Sequence, residues 1–141
     1  MRIVSMTALG GMPMCSIRAP RALFIRAMSP SPRLAPQMDP YSRHVLVCVG
    51  GFCSPDRRGG ELYRLLPSLL QREGLLFGPG RVKRGETPCL GVCTGGPIVV
   101  VYPEGVWYGG VTPALLDRIV VEHLRDGRVI EEAVFFRLTD G

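Results

Sequence analysis

Four of the five cysteines fall into two close pairs, Cys48-x4-Cys53 and Cys89-x3-Cys93, which are separated by the 35 residues 54–88. Both pairs lie among glycines. Two thiolates separated by a few residues can bind one metal ion from a single loop, so a fold that joins two such loops can hold a binuclear iron-sulfur centre. The spacing therefore indicates a centre with four sulfur ligands.

Three other roles for paired cysteines compete with this interpretation. A structural zinc site also uses four cysteines, but it usually builds them into short C-x2–4-C knuckles, and 35 intervening residues are long for one zinc ribbon. A thioredoxin-type thiol-disulfide enzyme needs a C-x-x-C motif, which the sequence lacks. Two structural disulfides would need an oxidising compartment, and no convincing secretory signal precedes the pairs. Zinc is thus the main competitor, and Cys15 stands outside both pairs.

The positive charge of the chain lies in its first 38 residues. Residues 1–38 contain five arginines and no acidic residue, whereas residues 39–141 contain 12 basic and 12 acidic residues, so the extension accounts for the whole formal charge of +5. A body without net positive charge does not favour nucleic-acid binding. Residues 1–38 show no helix or strand period, and we expect a disordered or over-annotated extension with Met38 as a natural start site.

The sequence also bears on localisation and catalysis. No segment approaches the roughly 20 apolar residues that a membrane-spanning helix needs, so we expect a soluble, cytoplasmic protein. The only histidines are His44 and His123, and the motifs H-E-x-x-H, P-loop and G-x-S-x-G are missing. We therefore expect no catalytic site in this chain, and we expect His123 to be a surface or core-edge residue.

The elements on either side of the first pair must position it. The apolar residues 45–47 predict a short buried strand that delivers Cys48 at its carboxyl end. Leucines at positions i, i+3, i+4, i+7 and i+8 over residues 62–70 predict an amphipathic helix that ends near Gly74. Pro67 predicts a kink or an irregular first turn in that helix.

The second half of the chain is predicted to continue with strands and one helix. Residues 81–84 predict an extended segment before the second pair, and residues 98–102 carry the strongest strand signal of the chain. Residues 106–109 can pair back as a hairpin. A helix is then predicted between Thr112 and Gly127, and the tail over residues 129–138 could be a last strand or a docking segment.

This order of strand, helix, strand, cysteine loop, hairpin and helix resembles the thioredoxin fold, an α/β fold with a mixed β-sheet and flanking helices. The two cysteine spacings and the run Cys89-Leu-Gly-Val-Cys-Thr-Gly-Gly-Pro97 look like those of the thioredoxin-like 2Fe-2S ferredoxins. The cluster-bearing small peripheral subunit of respiratory complex I shares this architecture. The resemblance covers residues 42–138, so we expect one such domain over residues 39–141 that excludes Cys15.

The resemblance implies a cofactor and a ligand for each iron. Cys48 and Cys53 would bind one iron of a 2Fe-2S cluster, and Cys89 and Cys93 would bind the other, near the surface of a one-electron carrier. Redox proteins would be its partners, although no residue identifies the electron donor or the electron acceptor. An accessory subunit of a larger oxidoreductase and, less favoured, a structural zinc protein are the alternatives.

Glycines in both loops have an expected role beside the sulfur atoms. They allow backbone N–H groups to approach the cysteine sulfurs, and such hydrogen bonds raise the reduction potential of a cluster. Simple turn geometry is the competing explanation. The glycines concerned are Gly50, Gly51, Gly91, Gly95 and Gly96.

Homodimers are common in the family, so the resemblance also implies a possible interface. The apolar tail and the region of Trp107 are the candidate surfaces. Packing in the core is the competing interpretation for the aromatic residues in these segments, and composition favours it. These residues are Trp107, Tyr108, Phe135 and Phe136.

Overall fold

The computed structural model describes residues 35–139, in which a five-stranded mixed sheet carries two α-helices. The strand order is β2-β1-β3-β4-β5; β1 and β2 run parallel, and the other neighbours run antiparallel. The predicted mixed α/β sheet is therefore present. Cys15 and most of the predicted extension lie outside the described residues. The elements in chain order are β1 (Arg43–Cys48), α1 (Arg58–Arg72), β2 (Val82–Thr87), β3 (Val99–Tyr102), β4 (Val106–Tyr108), α2 (Pro113–Arg118) and β5 (Val134–Arg137).

The sheet brings the segments that carry the cysteines to one edge. In the parallel register of β1 and β2, Cys48 lies opposite Thr87, so both strands end at the same edge. Because β3 runs antiparallel to β1, its first residues lie at this edge too, and the N–H of Cys48 donates to the carbonyl of Ile98 at 2.9 Å. Helix α1 is the crossover that a parallel pair of strands requires.

The leucine spacing correctly predicts helix α1 and its buried face. Leu62, Leu66, Leu69 and Leu70 are buried against the sheet, and full burial of each contributes about 1.5–3 kcal/mol to stability. The helix continues without a break through Pro67. A proline there removes only one intrahelical hydrogen bond, and the buried leucines on both sides stabilise the helix across it.

The second helical segment begins and ends as its capping residues predict. The N–H of Leu115 donates to Oγ1 of Thr112 at 3.1 Å, and Pro113 is the first helical residue. A π-helical segment, Ile119–Arg125, extends α2, and Gly127 follows with a φ of 73°. A 3-10 turn, Glu131–Ala133, then leads into β5. None of the helices within residues 35–139 is both long enough and apolar enough to cross a membrane.

The two faces of the sheet have different neighbours. Val45 and Val47 belong to the main core beneath the helices, whereas Cys48 belongs to a second buried group with Cys53 and Ile98. Successive side chains of a strand point to opposite faces, so Cys48 is directed away from the main core. The site thus lies at one edge of the sheet, on the face opposite the helices.

Two expectations about side-chain burial are wrong. Phe135 and Phe136 of β5 are 49% and 50% exposed and do not lie in the core, because β5 is an edge strand with one free side. His123 is fully buried and is not a surface or core-edge residue. Its Nδ1 lies 2.8 Å from the hydroxyl oxygen of Tyr108, and this hydrogen bond satisfies one of the two ring nitrogens. Tyr108 is buried, as core packing predicts.

Candidate metal centre

The first cysteine pair is buried at the end of β1. Cys48 is 0% exposed and Cys53 is 6% exposed, and their Sγ atoms are paired in direct contact. Their Cα atoms are 7.1 Å apart, whereas disulfides usually join Cα atoms about 4.4–6.8 Å apart. This Cα separation lies outside the range that structural disulfides usually span.

Short contacts hold the loop after β1 in place. The N–H of Ser54 donates to the carbonyl of Gly50 at 3.0 Å, which turns the chain back and brings Cys53 towards Cys48. The buried Oγ of Ser54 in turn accepts from the N–H of Gly59 at 2.9 Å. A Cβ atom on Gly59 would overlap the carbonyl oxygen of Cys48. The first turn of α1 is thus packed directly on the loop that carries the first pair.

The second pair lies on an exposed loop just after β2. Cys89 and Cys93 are both exposed and both free. The N–H of Gly91 donates to Sγ of Cys89 at 3.2 Å, the kind of backbone contact that the glycines predict. Gly91 has a φ of 77°, a conformation that residues with a Cβ atom rarely adopt. Thr87 adds a hydrogen bond from its Oγ1 to the carbonyl of Cys89 at 3.1 Å.

The two loops touch each other. The N–H of Val49 donates to the carbonyl of Thr87 at 2.9 Å, and a Cβ atom on Gly50 would overlap the carbonyl oxygen of Pro88. Leu90 and Val92, which flank Gly91, pack against the buried group of Cys48, Cys53 and Ile98. The two loops are therefore neighbours in space, although 35 residues separate the cysteine pairs in sequence.

The structure brings the loops together but leaves the two pairs of thiols apart. Within residues 35–139, no group of three or more His, Cys, Asp or Glu side chains is close enough to hold a metal ion. Cys48 and Cys53 face the buried group, whereas Cys89 and Cys93 face solvent. The four-cysteine ligand set consequently stays a prediction, which the contact between the loops supports.

Tyr108 and His123 form a buried, hydrogen-bonded pair on the face of the sheet that the helices cover. The sequence patterns did not reveal this pair. Burial raises the pKa of Tyr108 to about 12 and lowers the pKa of His123. Nε2 of His123 lies 3.9 Å from Oε1 of Glu104, and this carboxylate also accepts from Nε of Arg43 at 2.7 Å. The only available signal was the position of His123 among the apolar residues of a helix. Its place in the main core gives this pair a structural role.

Known proteins resemble the chain in both sequence and fold. No protein-family profile matches it. It is 37% identical over 100 residues to a 2Fe-2S ferredoxin of Aquifex aeolicus (strain VF5), and the alignment covers 65% of this chain and 87% of that protein. It is 36% identical over 96 residues to a 2Fe-2S ferredoxin of Clostridium pasteurianum, with 62% of this chain and 90% of that protein covered.

A solved structure agrees with these sequence matches. The crystal structure of the wild-type thioredoxin-like 2Fe-2S ferredoxin from Aquifex aeolicus superposes on 68% of this chain and 98% of its own, with a TM-score of 0.61 and 36% identity. The predicted fold class and the predicted family are thereby confirmed. This chain belongs to the thioredoxin-like 2Fe-2S ferredoxin family.

Proposed function

We propose that this protein is a one-electron carrier whose 2Fe-2S cluster is held by Cys48, Cys53, Cys89 and Cys93. One observation carries the proposal: both thiol pairs follow the carboxyl ends of the adjacent parallel strands β1 and β2, on loops that contact each other. Each pair would bind one iron. The ferredoxin relatives support this cofactor.

The donor atoms fit this cofactor. Four cysteine thiolates are the usual ligands of a 2Fe-2S cluster, whereas a Rieske centre would replace two of them with histidines. His123 lies in the main core, not in the buried group that contains the first pair. The N–H of Gly91 already points at Sγ of Cys89, where it would stabilise the negative charge of a thiolate.

The cluster would supply the reversible uptake of one electron, and the loops would stabilise the charge that this electron adds. A 2Fe-2S cluster with four thiolates has a net charge of about −2 when oxidised and about −3 when reduced. Hydrogen bonds to its sulfurs favour the reduced form and raise the reduction potential. Because Cys89 and Cys93 are exposed, the iron on that side would lie nearer to the surface on which a redox protein docks.

The carrier needs separate proteins as electron donor and acceptor. We infer that it catalyses no reaction of its own, since its sequence lacks the common catalytic motifs and its known relatives are ferredoxins. The cytoplasm fits such a protein because free thiols stay reduced there and are available to the cluster.

We also propose that the chain forms a homodimer. Phe135 and Phe136 of the edge strand β5 are half exposed, as the predicted dimer surface requires. Burial of both rings against a second copy would remove apolar area from water. Sedimentation velocity should show a dimer for the unaltered chain and a shift towards monomer for Phe136→Ser. A monomer for the unaltered chain contradicts this prediction.

Metal and sulfide analysis tests the proposed cofactor. Protein purified without oxygen should be brown and contain two irons and two acid-labile sulfides per chain, and its colour should bleach on reduction by one electron. A colourless protein with stoichiometric zinc would overturn the proposal. Measurement of zinc in the same sample separates the two metals directly.

A further inference from the structure

Trp107 is the only tryptophan of the chain and lies beside the first cysteine pair. It is the middle residue of β4, and its side chain packs against the buried group formed by Cys48, Cys53 and Ile98. The indole Nε1 is buried, yet it has no hydrogen-bond partner among the described residues. A buried tryptophan N–H usually finds a partner, so this atom calls for an explanation.

The sheet register explains why Trp107 reaches this group. Trp107 lies opposite Val100 of β3, and Ile98 lies two residues before Val100 and so faces the same side of the sheet. Such diagonal neighbours on adjacent strands are within reach of aromatic side chains. The carbonyl of Ile98 accepts from the N–H of Cys48. The indole therefore lies on the cysteine face of the sheet, at the edge where β1 ends.

Two phenyl rings fix the orientation of the indole. Phe135 and Phe136 make edge-to-face contacts with it, at centroid distances of 6.3 and 6.1 Å. Trp107 also pairs with Phe136 across the register of β4 and β5. A ring that is held from two sides loses little further conformational freedom when its N–H forms a hydrogen bond. The indole is therefore well placed to act as a fixed donor.

We propose that Nε1–H of Trp107 donates a hydrogen bond to a sulfur atom on the Cys48–Cys53 side of the cluster. This inference rests on the proposed function, because the acceptor belongs to the cluster. The bond strengthens when reduction adds negative charge to the sulfur, so it stabilises the reduced form and raises the reduction potential. Trp107 is thus a positioning residue that tunes the potential, and it is not a ligand.

The variant Trp107→Phe tests the hydrogen bond because it keeps an aromatic ring and removes the N–H. Spectroelectrochemical titration should give a reduction potential lower than that of the unaltered protein, with equal iron and sulfide contents. Tyr102→Phe is the matched control, since it removes an O–H from an aromatic side chain at the opposite edge of the sheet, where Tyr102 pairs with His44, and its potential should stay near that of the unaltered protein. Equal potentials for Trp107→Phe and the unaltered protein overturn the inference.

A measurement on the unaltered sequence keeps the inference testable if Trp107→Phe does not fold. Because the chain has a single tryptophan, isotopic labelling of tryptophan marks only one indole nitrogen. Pulsed EPR of the reduced, labelled protein should detect a coupling between the cluster spin and that nitrogen. A cluster without this coupling overturns the hydrogen bond alone, whereas a protein without iron and sulfide overturns the proposed function itself.

Discussion

Gly50 lies against the carbonyl oxygen of Pro88, so that a Cβ atom at this position would overlap the oxygen. Gly50 follows Cys48 by two residues, and Pro88 immediately precedes Cys89. This contact therefore joins the two loops that carry the cysteines. It sets how closely the first thiol pair can approach the second.

Replacement of this glycine should weaken cluster binding. In Gly50→Ala, the new methyl group forces the loops apart, and we expect fewer irons and sulfides per chain and faster loss of the visible absorbance in air. Gly51→Ala is the matched control, because no atom lies within 4 Å of the Cβ position at Gly51. Cluster content and half-life measured side by side should separate the two variants, and equal values would contradict a role for the contact.

Each of the four paired cysteines should be needed for a normal cluster. Serine replaces a soft sulfur ligand with a hard oxygen, so Cys→Ser changes at positions 48, 53, 89 and 93 should reduce the cluster content or shift its visible spectrum. The measurement is the absorption spectrum together with iron and sulfide analysis of the purified variants. A serine variant at any of these positions with an unchanged spectrum would contradict the ligand set.

Cys15 provides the control for that series. It lies outside the two cysteine pairs and outside the resemblance to the ferredoxins, so Cys15→Ser should keep the full cluster content and the unaltered spectrum. Loss of visible absorbance in this variant would show that the ligand assignment is wrong.

The sequence predicts the main helices and strands because their apolar residues follow clear patterns. The leucine spacing identifies α1, and the apolar run before Cys48 identifies β1. The spacing of the cysteines predicts the site for a similar reason: ligands on the same loop must be close in sequence. Thr112 and Gly127 correctly mark the bounds of the second helical segment, because each satisfies a local backbone requirement.

Features that depend on tertiary neighbours could not be predicted in this way. Phenylalanine is an apolar residue that usually packs in a core. Phe135 and Phe136 are nevertheless half exposed, because β5 is the last strand of the sheet. A histidine on a helix is more often at the surface or the core edge, but His123 is fully buried, and its Nδ1 bonds to the hydroxyl of Tyr108. The contact between Gly50 and Pro88 also depends on how β1 and β2 align, which no local pattern encodes.

The left-handed conformation of Gly91 leads to a prediction about stability. An alanine with a φ near 77° is strained by about 1–2 kcal/mol, although no atom lies within 4 Å of its Cβ position. Gly91→Ala should therefore lower the thermal midpoint of the loaded protein by several degrees. Gly80→Ala, at a site with equal space and no positive φ, is the control. Equal midpoints for the two variants would contradict the strain argument.

Burial of His123 predicts a dependence of stability on pH. Its pKa in the folded chain is lowered by burial, so below about pH 6.5 the unfolded chain binds a proton that the folded chain does not. The corresponding stability is fully present above about pH 6.5 and is lost as the pH falls towards the folded pKa. Nearby Glu104 opposes this shift, and Arg43 and Arg137 add to it.

The variant His123→Gln isolates this effect because glutamine does not titrate. Thermal midpoints of both loaded proteins, measured at about pH 7.5 and about pH 5.5, should fall more steeply for the unaltered chain than for the variant. Acid sensitivity of the cluster affects both proteins and cancels in the comparison. Parallel decreases would show that His123 does not contribute to the pH dependence.

EPR spectroscopy of the reduced protein tests the central claim most directly. Chain purified without oxygen and reduced with dithionite should give the low-temperature signal of a reduced 2Fe-2S cluster, with one unpaired spin per chain. The number of unpaired spins in the sample should equal half the number of iron atoms. A reduced sample that contains stoichiometric zinc and gives no signal would contradict a 2Fe-2S electron carrier.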